Sequence, residues 1–461
     1  MSTVEVRSPY SGEVVGEVEL TPADVVDATL ERQAAMVADR DRWLPAHQRI
    51  EVLKGAAALV ASRREELARL IASEGGKPLT DALVEVDRAA NGLDLCAEEV
   101  GHHAGEEIPM GLTPASVGRL AFTTREPIGA VVAVSAFNHP LNLIVHQTGP
   151  AIAAGCPVLV KPAGPTPLSA LALGGIYREA GLPNDWCVIA PCDNDVAERA
   201  VTSDRIGFFS FIGSARVGWM LRSKLAPGVR AALEHGGVAP LIVDASADLD
   251  KAVPAILKGG YYHAGQVCVS VQRVFADASV ADELIERLVA GVADLVVGDP
   301  LDAATQVGPL IRQGEVDRVH EWVQAARDSG AVVAAGGEPL DHQCYAPTLL
   351  VDPPADATVM TDEVFGPLVN VTRTSGLDDA IARANSLPWA FQSAVLAQDV
   401  DAALRAATRL NASSVMVNDH TAFRVDWMPF GGRGRSGLGM GGMSHTVHEL
   451  TRPKLIVLPT G

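Results

Sequence analysis

The sequence is poor in cysteine, in positive charge and in long apolar runs. Six cysteines, Cys96, Cys156, Cys187, Cys192, Cys268 and Cys344, are scattered over 461 residues. That scatter argues against a disulfide framework and fits a reducing compartment. Cys187 and Cys192 form a C-x4-C pair, but no second Cys/His pair stands nearby to complete a zinc site, so no metal is expected. Acidic residues outnumber basic ones, giving a formal charge of −19. Such a surface disfavours nucleic acid and anionic membranes as partners. Apolar stretches such as AIAAGCPVLV are too short to span a bilayer and are broken by Gly and Pro. The opening MSTVEVRSPYSGEVV has no basic region followed by an apolar run, so no signal peptide is expected and a cytoplasmic location is.

What is present is apolar substance and regular alternation. The chain is 48% hydrophobic and 20% charged, enough to bury a large core in up to three domain-sized units. Residues 22–104 carry apolar residues at three-to-four spacing and predict helices, with Thr80 a candidate cap for the last of them. From residue 118 the pattern changes. RLAFTTREP alternates as an exposed strand does. GAVVAVS (129–135), CPVLVK (156–161), IGFFSF (206–211) and AAL (231–233) are β-rich, with helical stretches between them. Strand alternating with helix predicts an α/β fold with a parallel sheet. A second α/β unit is expected from about 237 to 440. The terminal TRPKLIVLP is a strand with no neighbour in sequence and predicts a distant partner, including another subunit.

Several short motifs fall at predicted strand ends. VLVKPAGPTP puts Lys161 at the C-terminal end of a parallel strand, where ligands bind in open sheets; a solvated lysine is the plainer meaning. FIGSARVG leads from strand to helix, and its amides suit a pyrophosphate. Its Gly213 and Gly218 do not match G-x-G-x-x-G, and Arg216 opposes the helix dipole unless an anion lies near. SAFNHPLNLIVHQ sets Asn138 before a Pro-led helix, either as a cap or as an amide donor to a developing oxyanion. LEHGG ends a strand in Glu234. YYHAGQVCVS holds Cys268 between two valines, either a packed thiol or a nucleophile.

AFNHP, VKPA, FIGS, LEHGG, GQVC, DEVFGP and MPFGG, in that order and spacing, resemble the aldehyde dehydrogenase superfamily over nearly the whole chain. The resemblance implies a Rossmann-like cofactor domain (1–111 and 129–236), an α/β catalytic domain (237–440) and a small β oligomerisation element (112–128 and 441–461), assembled as a homodimer or homotetramer. It implies NAD- or NADP-dependent oxidation of an aldehyde, with Cys268 as nucleophile and Glu234 as general base. Asn138 and the backbone N–H of Cys268 would form the oxyanion hole. Lys161 would contact the adenosine ribose, Gly213 and Ser214 the pyrophosphate, Glu363 the nicotinamide ribose, and Phe365 the nicotinamide. A CoA-acylating semialdehyde dehydrogenase is the alternative within enzymes, which Glu234 argues against. A non-catalytic cofactor-binding or structural relative is the alternative outside them.

Departures from the family pattern narrow this expectation. Gly164 stands where relatives carry the glutamate that holds the ribose hydroxyls. With Arg216 nearby, its loss leans towards NADP. LEHGGV carries His235 and Val238 in place of Leu and Lys, and GMGG replaces a motif containing glutamate; neither change is expected to touch the chemistry. Positions that are aromatic in relatives acting on fatty or aromatic aldehydes fall here near His139, His146 and Arg424, with Leu143 between the histidines. Spacings of four and seven would put His139, Leu143 and His146 on one helical face. This lining favours a small polar aldehyde, hydroxylated or carboxylated, unless Arg424 pairs with Asp426 or Glu449 and faces away. Val267 before the nucleophile argues against a phosphorylated substrate.

Overall fold

A computed structural model describes residues 2–460. Two large sheets, each parallel except for one antiparallel edge strand, organise the chain. The first has six strands in the order Gly437–Leu438, Arg230–Glu234, Ile206–Ile212, Ala130–Val134, Val158–Lys161 and Cys187–Ile189. Only the pairing of Gly437–Leu438 is antiparallel. Its strands are near-continuous apolar runs because helices cover both faces. Ala130–Val134 is buried along almost its whole length. Helix Asn142–Ala154 lies on one face, every residue of it buried. Helices Ala46–Ser62 and Leu79–His102 stack outside it around Leu53, Val86 and Leu93.

The second sheet has seven strands in the order Val332–Ala335, Thr348–Val351, Leu368–Thr374, Val271–Asp277, Ala239–Val243, Gln392–Leu396 and Ser414–Val417. Its core joins Leu241, Val274, Leu349 and Val369 to helix residues such as Leu284 and Val319. The third sheet is antiparallel, with Arg119–Pro127 between Glu107–Ile108 and Thr451–Pro459. No helix among the described residues is long and apolar enough to cross a membrane.

The sheets cut across the expected sequence ranges. Gly437–Leu438 extends the first sheet, although it falls within 237–440. Glu107–Ile108 joins the third sheet from outside 112–128. Helix Met443–Glu449 packs on the helices Leu79–His102 and Asn142–Ala154, with Met443 against Cys96. Thr80 is not a cap. Its helix runs Leu79–His102 and opens on Pro78, whose fixed φ already suits a helix start, so Thr80 lies inside the first turn.

Candidate active site

Four strands of the first sheet deliver side chains to one cleft from their C-terminal ends. Asn138 follows Ala130–Val134, and Lys161 ends Val158–Lys161. Gly213 and Ser214 follow Ile206–Ile212, and Glu234 ends Arg230–Glu234. The cleft measures about 1130 Å³ and continues across to the second sheet. Cys268, Gly164, Arg216, Glu363 and Phe365 line it as well, as do His139, Leu143, Val267 and Arg424. Residues from positions 138 to 424 are thereby brought to one site.

The Cys268 loop is held by a dense set of constraints. His263 and Ala264 adopt left-handed φ values of 48° and 54°, a costly conformation for residues other than glycine. Gly265 follows at φ 68°, and a Cβ there would run into the Gly366 carbonyl. Gln266 ties the loop down by donating from Nε2 to the Pro309 carbonyl (3.2 Å) and accepting from the Ile311 N–H (3.0 Å). Its own carbonyl accepts from Asn138 Nδ2 at 2.9 Å, so the buried asparagine amide rests on the loop that presents the thiol. Val267 and Val269 are buried with Phe391 and Phe430, while Cys268 between them is only partly buried and lines the cleft. The valines pack, and the cysteine faces the open space.

Acids in this site are pushed towards their protonated forms. Burial raises the Cys268 thiol to about 12; the Glu363 charge adds to that and Arg424 opposes it. Burial also raises Glu234, again against Arg424. The Glu234 carboxylate lies where a side chain at Gly441 would stand. GMGG therefore lies directly against that carboxylate, closer to the cleft than a remote loop would be. Glu363 is raised by burial to about 8, and its carboxylate rests on Gly236.

These residues fit a dinucleotide. Glu363 Oε1 and Ser135 Oγ are buried polar atoms without a partner. A Cβ at Gly164 would meet nothing within 4 Å, so the space beside Lys161 is open. The Gly213 loop is fastened from below by His235, whose Nδ1 lies 2.9 Å from the Gly213 carbonyl. Its ring packs between Phe211 and Trp219, in room that Gly218 leaves. Sequence reasoning assigned His235 no task; its place directly after Glu234, beside a glycine-rich loop, was the available signal.

The substrate side differs from expectation in one respect. Helix Asn142–Ala154 starts after His139, so His139, Leu143 and His146 do not share one helical face. His139 and Leu143 line the cleft. His146 lies behind it, with Nε2 2.7 Å from Asp426 Oδ1 and Nδ1 3.2 Å from Arg424 Nη2. Asp426 is taken by Arg88 and His146, and Glu449 by Arg230, so neither carboxylate pairs with Arg424. Arg424 lays its guanidinium 3.5 Å over the Phe430 ring and keeps a buried Nε without a partner. Tyr262 is another residue missed from sequence: its hydroxyl reaches His139 Nε2 at 3.4 Å on the cleft wall.

Residues 1–456 match the model of the aldehyde dehydrogenase family. A 3-sulfolactaldehyde dehydrogenase of Priestia megaterium is 37% identical over 99% of this chain and 94% of its own. A lactaldehyde dehydrogenase of Methanocaldococcus jannaschii is 36% identical over 99% and 97%. Among solved structures, aldehyde dehydrogenase 21 of Physcomitrella patens, in complex with the reaction product succinate, superposes with a TM-score of 0.96. It is 32% identical, with 100% and 95% of the two chains covered. The chain belongs to the aldehyde dehydrogenase family, whose fold it shares. It is accordingly an NAD(P)-dependent oxidoreductase acting on aldehydes.

Proposed function

We propose that this enzyme oxidises a small aldehyde with an anionic group at its far end to the corresponding acid, and accepts NADP. One observation carries the substrate reading. Arg424 is a half-buried cation in the cleft, its Nε buried and without a partner and its guanidinium without a carboxylate, and it is close enough to Cys268 and Glu234 to perturb both. Burying an unpaired charge is costly, and a ligand carboxylate or sulfonate would compensate it through charge-assisted hydrogen bonds. Relatives named for sulfolactaldehyde, succinate semialdehyde and glutarate semialdehyde act on aldehydes of this kind.

In this reading the Cys268 thiolate attacks the aldehyde carbon and forms a thiohemiacetal. The Asn138 amide has two N–H groups. One is given to Gln266, and the other is free to meet the oxyanion together with the Cys268 backbone N–H. The dinucleotide supplies a hydride acceptor at its nicotinamide ring. Lys161, Gly213, Ser214, Glu363 and Phe365 would hold it, with Gly164 and Arg216 leaving room and charge for a 2′-phosphate. Glu234, its affinity for protons raised by burial, then takes a proton from the water that hydrolyses the thioester.

Thr451–Pro459 is a nine-residue edge strand with Leu455, Val457 and Leu458 exposed, which supports pairing with a second copy in a dimer or tetramer. The free state of all six cysteines supports a cytoplasmic location. The substrate reading is tested by kcat/KM over a panel of 4-oxobutanoate, lactaldehyde, glycolaldehyde, pentanal and benzaldehyde. The anionic aldehyde is expected to lead by at least tenfold. A lead for pentanal or benzaldehyde would overturn it.

A further inference from the structure

Four side chains from three parts of the chain form a continuous line, with Arg88 and Arg424 at the cleft and Asp426 and His146 behind its wall. Arg88, on helix Leu79–His102, donates from Nε (3.1 Å) and Nη2 (2.7 Å) to the two oxygens of Asp426. Asp426 Oδ1 faces His146 Nε2 at 2.7 Å, and His146 Nδ1 faces Arg424 Nη2 at 3.2 Å. The Asn142 amide adds a donor to Asp426 at 3.3 Å. Donor chemistry fixes the direction of every bond in the line. A guanidinium has N–H donors and no acceptor, so His146 Nδ1 accepts. The ring proton of the neutral imidazole then sits on Nε2, which the Asp426 carboxylate accepts.

We infer that His146 is a positioning residue for substrate recognition. Fixed as the Nε2–H tautomer by Asp426 and Arg88, it holds the Arg424 guanidinium so that its remaining N–H groups meet the distal anion of the aldehyde. This rests on the role proposed above for Arg424. The guanidinium is constrained by one aromatic face, Phe430, and by this one hydrogen-bond acceptor. Phe430 sets the plane of the group, and His146 sets its rotation within that plane. Without the imidazole acceptor the fork could turn on the ring, and the entropy of ordering it would fall on the substrate. A carboxylate in place of His146 would hold Arg424 equally well but would cancel its charge. A neutral acceptor holds it and leaves the full positive charge for the ligand. Burial keeps the imidazole neutral, with its pKa lowered to about 4. For Asp426, burial works upwards, but the His146 hydrogen bond and the Arg88 charge outweigh it and keep the carboxylate ionised.

The test compares 4-oxobutanoate with neutral pentanal in four proteins. In His146→Leu, KM for 4-oxobutanoate should rise at least tenfold, kcat should stay within threefold, and KM for pentanal should stay within twofold. His146→Gln should restore KM to within threefold of wild type, because one amide offers oxygen to Arg424 and N–H to Asp426. Arg424→Met should raise KM for 4-oxobutanoate at least as far as His146→Leu. Wild-type KM in His146→Leu together with a raised KM in Arg424→Met would overturn the positioning role and leave the substrate reading intact. Unchanged KM in Arg424→Met would overturn both. Should His146→Leu not fold, His146→Phe replaces it, because it keeps a ring in the same place and removes only the acceptor. Wild-type KM there together with a raised KM in Arg424→Met would overturn the positioning role. In the wild-type protein, ¹⁵N spectra of the imidazole should show the Nε2–H tautomer at neutral pH; the Nδ1–H form would overturn it as well.

Discussion

Gly164→Glu should shift cofactor preference towards NAD. The position lies three residues beyond Lys161, lines the cleft and is exposed. A Cβ there meets nothing within 4 Å, and the backbone lies outside the left-handed region, so glutamate enters without strain. Its carboxylate would face the 2′-phosphate of NADP, which carries a charge of about −1.5 to −2. At about 4 Å in a water-like medium each pair of unit charges repels by ~1 kcal/mol. The penalty is therefore about 2 kcal/mol, or roughly 30-fold in affinity. NAD gains instead, because the carboxylate accepts from the free ribose hydroxyls. Solvent exposure limits that gain to about 1.4 kcal/mol, or tenfold. The ratio of kcat/KM for NADP to that for NAD should fall by about 300-fold. The assay is initial-rate kinetics with each cofactor at saturating aldehyde, on a variant whose thermal unfolding matches wild type. A ratio that moves by less than threefold would show that the 2′-phosphate lies elsewhere.

Two other outcomes follow from the same site. Glu234→Gln should give a burst of reduced cofactor near one equivalent per active site and then stall in deacylation; an undiminished steady state would remove Glu234 as the base. Without added cofactor, alkylation of Cys268 by iodoacetamide should speed up about tenfold per pH unit from pH 6 to 9. The thiolate is the reactive form, and a thiol raised to about 12 is far from fully ionised throughout that window. A rate plateau below pH 8.5, measured by mass spectrometry of the Cys268 peptide, would contradict the burial argument.

The strand ends were legible in sequence because they are local. A short β-rich run, a punctuating glycine or proline and a polar residue at the junction locate Lys161, Gly213 and Glu234 without knowledge of the rest of the chain. The order of motifs did the same for Cys268. The failures were set at long range. His139 was expected on one helical face with Leu143 and His146 because of their spacing. The helix begins later because the Glu85 carboxylate accepts from the Leu141 and Asn142 amides at 2.9 and 3.0 Å and caps the helix there. Glu85 is in turn paired with the fully buried Lys77. No pattern near residue 140 announces a cap supplied from position 85. Arg88 was invisible for the same reason, and Asp426 was considered only as a partner of Arg424: each is an ordinary charge in its own segment, and the fold alone makes Arg88 and Asp426 a pair. His235 and Gly441 were visible as departures from the family pattern, but only packing shows that one supports the Gly213 loop and the other borders Glu234.

The electrostatics of the site tie recognition to reactivity. Cys268, Glu234 and Glu363 share one poorly solvated cleft, and burial raises the proton affinity of all three. Arg424 is the side-chain cation that draws both Cys268 and Glu234 back towards ionisation, while Glu363 has Arg318. The guanidinium proposed to bind the far end of the aldehyde is thus the one that favours the thiolate at the near end. An anion seated on Arg424 offsets part of that field. Orientation then matters more than charge alone, since the edge turned to the ligand and the edge turned to the sulfur must be different N–H groups of one planar fork. The His146 bond, which takes one corner of that fork, gives a reason why the guanidinium is tied at all: a freely rotating group would spend its charge on whichever anion lay nearest.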